Sequence, residues 1–318
     1  MNILITGVSG FIGQHLVAAL ANLGHNIFGA QEPGKPMKFS KHYTTLAMDL
    51  RHRESVEDAV KFANPDIVIH LAAKTEVAFS FEDYEDYTRV NYLGTVLLAE
   101  ACRHSATNLE QFIMASSMET YGHHDPDHGA FNEVTPQKPM APYSIAKLAA
   151  EKYLAYMEYA YGLPYTILRQ TNTYGRTNTS FFVMERIITQ MLAGDKVELG
   201  EPDPVRNFLY ISDLMDLYLT ILGNERAIGE TFVTGPDNGL TIRQLVQKCA
   251  NALMWKGNVV WHTIPVRPGE IRYLNSDGAK AKRVLGWEPV VPLEEGIALT
   301  AEAWRRKALD GGAEETQN

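Results

Sequence analysis

Apolar and polar positions fall into two alternating periods over the first half of the chain. Short, nearly unbroken apolar runs at residues 3–5, 26–30, 45–48, 67–73 and 112–116 read as buried strands. Between them, residues 14–23, 51–62 and 87–104 carry apolar side chains at helical spacing. Strands without polar alternation are covered on both faces, as in parallel sheets. Strand alternating with helix predicts a doubly wound parallel sheet, an α/β fold, whose ligands sit at the carboxyl ends of the strands. Past residue 171 the pattern is mixed. Helices are expected at 143–161, 181–192, 214–222 and 242–253, and a short strand at 196–199. Residues 165–168 and 231–234 still read as central strands. The expected organisation is therefore a dinucleotide-binding domain over 1–170, with returning segments at about 205–237, and a smaller mixed α/β lobe made mainly from 171–318. The polar end, 310–318, is expected to fray.

A glycine turn joins the first strand to the first helix. Gly7, Gly10 and Gly13 form G-x-x-G-x-x-G around Phe11 and Ile12. Three glycines alone mark only a turn, but strand before and helix after make a dinucleotide site of Rossmann type. The first glycine permits the tight turn, the second lets backbone approach a pyrophosphate, and the third lets helix and strand pack closely. An acid at the end of the second strand usually holds the ribose diol of NAD, and an arginine there favours NADP. Gln31 takes that place here, Glu32 comes one residue late, and Lys35 and Lys38 could attract a 2′-phosphate. NAD is the expected cofactor and NADP the alternative.

Composition narrows the function classes. The 318-residue chain has a formal net charge of −9 and no basic stripe, which argues against nucleic acid and anionic membrane as partners. No apolar run reaches membrane-spanning length, and the first residues already form a strand, leaving no room for a signal peptide. Cys102 and Cys249 lie far apart in helical patterns, as buried free thiols would, so the cytoplasm is the expected compartment. The run His123, His124, Asp125, Pro126, Asp127, His128 lacks tetrahedral-site spacing, and no metal is expected.

Candidate chemistry lies just past the strand at 112–116. Tyr143 and Lys147 are four residues apart at the start of a helix and share one face. An ammonium beside a phenol stabilises the phenolate and lowers the tyrosine pKa from about 10 toward neutral. The phenolate can then take a hydroxyl proton as hydride leaves the same carbon, with Ser117 holding that hydroxyl.

With these residues in place the chain resembles the extended short-chain dehydrogenase/reductases that act on nucleotide-sugars. The resemblance spans nearly the whole length and rests on the glycine loop, Asp49-Leu50, His70-Leu71-Ala72-Ala73, Asn91, Ser117 to Gly122, and Tyr143 to Lys147. It implies that Asp49 and Leu50 contact the adenine, that Leu71, Ala72 and Ala73 line the phosphates and ribose, and that Asn91 supports the lysine. It also implies Ser117, Tyr143 and Lys147 as the catalytic set. The stretch from Leu168 to Arg176 resembles the family's crossing between lobes, with Gln170 toward the cofactor and Asn172 toward the substrate diphosphate. Arg206 and Arg267 match two further motifs and would clamp the phosphates with fork-shaped hydrogen bonds. The family commonly forms a homodimer through a four-helix bundle of the helices at 87–104 and 143–161.

Two departures bear on the reaction. Asn207 replaces the usual Asp beside the arginine, read as a local hydrogen-bond change. Met118-Glu119 replaces the Asp-Glu pair of members that eliminate water, so the acid that protonates the leaving hydroxyl is missing while Glu119 stays as a candidate base. The leading expectation is an NDP-sugar 4-epimerase working with bound NAD on a nucleotide-diphosphate sugar. The alternatives are an NDP-hexose 4,6-dehydratase using Glu119, and an NADPH-dependent reductase of a 4-keto-6-deoxy sugar. A cofactor-sensing regulator is the reading from a different class, and the intact Ser117, Tyr143 and Lys147 argue against it.

Overall fold

The computed structural model describes residues 1–21, 23–34, 41–125 and 129–314. Its centre is a seven-stranded parallel sheet. Six strands come from the first 170 residues: β1 (Asn2–Thr6), β2 (Asn26–Gln31), β3 (Thr44–Ala47), β4 (Ile67–His70), β5 (Gln111–Ser117) and β6 (Tyr165–Gln170). The strand Glu230–Val233 returns from the second half to pair with β6, so the spatial order is Glu230–Val233, β6, β5, β4, β1, β2, β3. Chain order reverses between β1 and β4, and a crevice opens there at the carboxyl ends.

The strands are buried on both faces, as continuous apolar runs require. Ile3, Ile5, Ile67 and Ile69 point into one core, with Leu16, Val17 and Leu20 of the helix Phe11–Leu20. Leu4, Val68, Phe112 and Met114 point into the other, with Val56 and Val60 of Arg53–Ala63 and Leu98 and Cys102 of Gly94–Ser105. A third core, including Met184, Ile187, Leu245 and Cys249, lies in the second lobe. Ala281, Leu285 and Trp287 join the first core, so a late segment of the chain also packs on the sheet. Both cysteines are free and buried.

Three elements differ from the sequence pattern. The apolar run 67–73 is strand only to His70, because Leu71, Ala72 and Ala73 leave the sheet to floor the crevice. The helix expected at 87–104 is broken into Tyr84–Thr88, a π turn at Arg89–Leu93, and Gly94–Ser105. The last helix, Leu293–Glu314, continues through most of the stretch expected to fray. Lys35 and Lys38 lie outside the described residues. Among the described residues, no helix is long and apolar enough to cross a membrane.

Candidate active site

The crevice is a cavity of about 1070 Å³ shared by the two lobes. Gly7, Gly10, Phe11, Ile12 and Gly13 line it, as do Gln31, Asp49, Leu50, Leu71, Ala72 and Ala73. Ser117, Glu119, Tyr143 and Gln170 line it too, as do Asn172, Arg206 and Arg267. Asn91 and Lys147 lie behind the wall, both buried.

The glycine loop is built for backbone approach. Gly7 has φ 70°, and a Cβ there would stand 2.8 Å from the Ala72 nitrogen. A Cβ on Gly13 would meet the Gly7 carbonyl at 2.6 Å. The helix Phe11–Leu20 has no acid in its first turn and no side-chain cap, so its positive end faces the cavity unneutralised. These residues fit a dinucleotide pyrophosphate.

Gln31 is buried at the end of β2. Beside it Arg51 pairs with Glu32, with Asp49 at 2.9 Å and with Asp86 at 3.6 Å. Among the described residues, Arg51 thus sits within three carboxylates at that end of the cavity, a feature invisible at Gln31 alone.

A buried relay that the sequence reading missed holds the floor. Thr95 donates to the Asn91 carbonyl at 2.9 Å, so it accepts from His70 Nε2 at 2.9 Å. The neutral ring then accepts from Thr6 at Nδ1, 2.8 Å, and Thr6 in turn accepts the Ala72 N–H at 3.0 Å. Burial first, then the nearby Lys147 charge, lower the His70 pKa to about 3, which keeps the ring neutral.

Asn91 was expected to support the catalytic lysine. Its carboxamide brackets the backbone of Lys74, accepting its N–H at 2.8 Å and donating to its carbonyl at 2.9 Å. Lys147 Nζ donates to the Ala115 carbonyl at 2.8 Å. Burial lowers Lys147 to about 8, against the opposing pull of Glu151.

The expected depression of Tyr143 is corrected: burial pushes the phenol well above its ordinary value. The Ser117 hydrogen bond pulls it back in part, while the charge of Glu119 adds to the rise. Ser117 also accepts the Glu119 N–H at 3.1 Å, capping the turn Met118–Tyr121. Behind the site, Glu151 ties Ser116, Gln137 and Arg169 together, the ion pair to Arg169 at 2.9 Å. Arg169 is thus a structural anchor.

On the substrate side Glu270 bridges two arginines. It accepts from Arg206 at 2.8 Å and from Arg267 at 2.7 Å, and Arg267 reaches Glu119 at 3.2 Å. Asn172 donates to the Asn207 carbonyl at 3.0 Å. The Asn207 amide donates to Pro236 O at 2.6 Å and to Asn275 Oδ1 at 2.9 Å, which an aspartate could not do. Gln170 donates to the Tyr218 hydroxyl at 2.7 Å. In the histidine-rich run, His124 is buried and bonds Pro136 O at 2.8 Å, whereas Pro126, Asp127 and His128 lie outside the described residues. Among the described residues, no group of three His, Cys, Asp or Glu side chains could hold a metal.

Known proteins share this fold. A UDP-glucose 4-epimerase from Thermotoga maritima, solved with UDP-glucose, is 30% identical, with a TM-score of 0.89 over 97% of this chain and 100% of that one. The UDP-glucose 4-epimerase of Thermus thermophilus, solved with NAD, is 30% identical, with a TM-score of 0.87 over 96% of this chain and 99% of its own. A probable dTDP-glucose 4,6-dehydratase from Sinorhizobium fredii is 29% identical over 95% of this chain and 92% of its own length. With residues 3–235 matching its sequence pattern, the chain belongs to the NAD dependent epimerase/dehydratase family, and is an NAD-dependent enzyme of that family.

Proposed function

We propose that the enzyme is an NDP-hexose 4-epimerase. The observation that carries this reading is at positions 118 and 119. Met118 is buried with Tyr121, Phe131, Val233, Ile271 and Leu274, so an apolar side chain closes the place from which a dehydratase acid would protonate a leaving hydroxyl. Glu119 spends one oxygen on Arg267.

NAD, when bound at the glycine loop, supplies the hydride acceptor and donor and, when oxidised, a positive charge that favours the phenolate. Ser117 holds the C4 oxygen of the sugar, and Tyr143 takes its proton. The 4-keto sugar would turn in the cavity and Tyr143 would return the proton to the C4 oxygen, so the product would have the composition of the substrate. Lys147 is the buried cation on the helix of Tyr143. Arg206, Arg267 and Asn172 hold the diphosphate. Glycine-loop residues Gly7 to Gly13, with Gln31, Asp49, Leu50, Leu71, Ala72, Ala73 and Gln170, hold NAD; Asn91 and His70 hold that floor in place. The carboxylates around Arg51 disfavour a 2′-phosphate, which supports NAD and weighs against the NADPH-dependent reductase.

One observation favours a second reading, 4,6-dehydration. Glu119 Oε2 is buried without a hydrogen-bond partner, and the residue lines the cavity, as a C5 base would. Incubation with UDP- and dTDP-hexoses, without added cofactor, separates the two. Products of unchanged mass support epimerisation, and products that have lost water overturn it.

The proposal extends to assembly and place. Leu93, Ile145, Tyr156, Tyr159 and Tyr161 are exposed on the two helical segments expected to pair, which supports a homodimer through them. The free thiols support the cytoplasm. The lobes divide as 1–170 and 171–318, with 205–237 and the segment around Ala281 returning to the sheet.

A further inference from the structure

Arg176 belongs to none of the roles above, yet it spans the crevice. It follows Tyr174 and Gly175, where the chain has crossed into the second lobe. Its guanidinium lies 4.6 Å from the centre of the Phe11 ring, at the first position of the glycine-loop helix, and 3.8 Å from that of Phe182. Both rings and the arginine line the cavity. One nitrogen donates to the Thr173 carbonyl at 2.7 Å. Another stands 3.5 Å from Glu185 Oε2, longer than a good ion-pair hydrogen bond. Glu185 is itself held by the Gly175 and Arg176 N–H groups at 3.2 and 3.3 Å.

A second contact crosses the mouth nearby. Phe79, from the segment after β4, stacks on Phe181 of the second lobe, with centroids 5.5 Å apart and planes 25° apart. The lobes thus touch at a cation held over the glycine loop and at an aromatic pair beyond it.

We propose that Arg176 retains NAD in the enzyme between turnovers, as a cation that closes over the pyrophosphate site from the opposite lobe, with the Phe79–Phe181 pair as the outer part of the same clasp. The charge argument is direct. The pyrophosphate brings two negative charges to a helix end whose first turn has no side-chain cation. Arg176 is the cation stacked on that turn, and its partner Glu185 satisfies it incompletely. A cofactor cannot leave past Phe11 without parting Arg176 from that ring. Retention matters for a reaction that regenerates its cofactor in each cycle, and the inference rests on NAD lying at the glycine loop, not on which sugar reaction follows.

The test is NAD release from purified holoenzyme, chased with excess etheno-NAD in the absence of any sugar. The pair Arg176→Met with Glu185→Gln removes the charge without leaving a buried carboxylate alone. It should release NAD about tenfold faster or more, the loss expected for a desolvated cation–π contact. Arg176→Lys should fall between, since the charge returns without the planar stack. Wild-type release should quicken with salt, and the Met/Gln variant's should not. Phe79→Ala, at a half-exposed ring, should quicken release several-fold and keep the salt dependence. Release within twofold of wild type in the Met/Gln variant overturns the proposal. Should that variant not fold, wild-type release in both Arg176→Lys and Phe79→Ala overturns it equally. These outcomes stand whether the sugar product is an epimer or has lost water, so failure here is distinct from failure of the epimerase reading.

Discussion

Glu119→Gln separates the competing chemistries most sharply, because the structure gives the carboxylate two effects with known signs. It lies 3.2 Å from Arg267, both groups being about four-fifths buried (15% and 21% exposed). A partly buried pair of this kind contributes about 1 kcal/mol net. In an epimerase the pair competes with the substrate, since Arg267 must turn to the diphosphate and Glu119 repels it. Neutralising Glu119 leaves Arg267 held by Glu270 at 2.7 Å and removes that competition, so KM should fall about fivefold. The second effect is on the base. The Glu119 charge helps hold Tyr143 high, so its loss lowers the Tyr143 pKa and makes the phenolate easier to reach. The acid limb of the kcat profile should move to lower pH, and kcat should change by less than about tenfold because no proton passes through Glu119. Were Glu119 the base of a dehydration, kcat would drop by about 10² to 10⁴. The assay is steady-state kinetics on the NDP-hexose across pH. A loss of kcat beyond a hundredfold, with KM unchanged, refutes the reasoning.

Tyr143→Phe should cut turnover by about 10³ while NAD stays bound, read from NAD released on denaturation; surviving activity would remove Tyr143 as the base. Glu151→Ala leaves the buried Arg169 without its carboxylate at 2.9 Å and should lower stability by about 3–5 kcal/mol in urea, whereas a shift under 1 kcal/mol would contradict the anchor. Gly7→Ala forces a Cβ to 2.8 Å from the Ala72 nitrogen at φ 70°, and should yield protein without bound NAD; a holoenzyme would contradict the turn argument. Lys147 is at about 8 in the fold against 10.5 unfolded, so the unfolded chain binds more protons between those values and stability rises with pH there. Lys147→Met should flatten that rise in urea titrations from pH 7.5 to 10, and an unchanged slope would contradict the burial.

What was legible in the sequence follows from how local each constraint is. Gly7 and Gly13 are readable because a turn with positive φ and a helix packed on its own strand admit only glycine, whatever lies farther off. The Tyr143–Lys147 spacing is readable because four residues fix a helix face. Where the side-chain tips end is set by neighbours distant in sequence: Lys147 finds Ala115, and Asn91 finds Lys74. The π turn at Arg89–Leu93 adds a residue without disturbing the apolar pattern, so it left no trace in the periodicity. His70 read as one more residue of a buried strand, because its partners Thr6 and Thr95 are 64 and 25 positions away. Arg176 sat inside a recognised stretch, but its ring partners come from positions 11 and 182. Asn207 is legible as a hydrogen-bond change from its amide alone, and it donates two bonds that an aspartate could not.

In a 4-epimerase hydride leaves and returns at one carbon and no water is lost. Purified holoenzyme is incubated with UDP-glucose in D2O without added cofactor and followed by proton NMR and mass. The expected product is the C4 epimer, at unchanged mass and with no deuterium on the ring carbons. A 4-keto-6-deoxy product, lighter by one water and labelled from solvent, would overturn the epimerase reading.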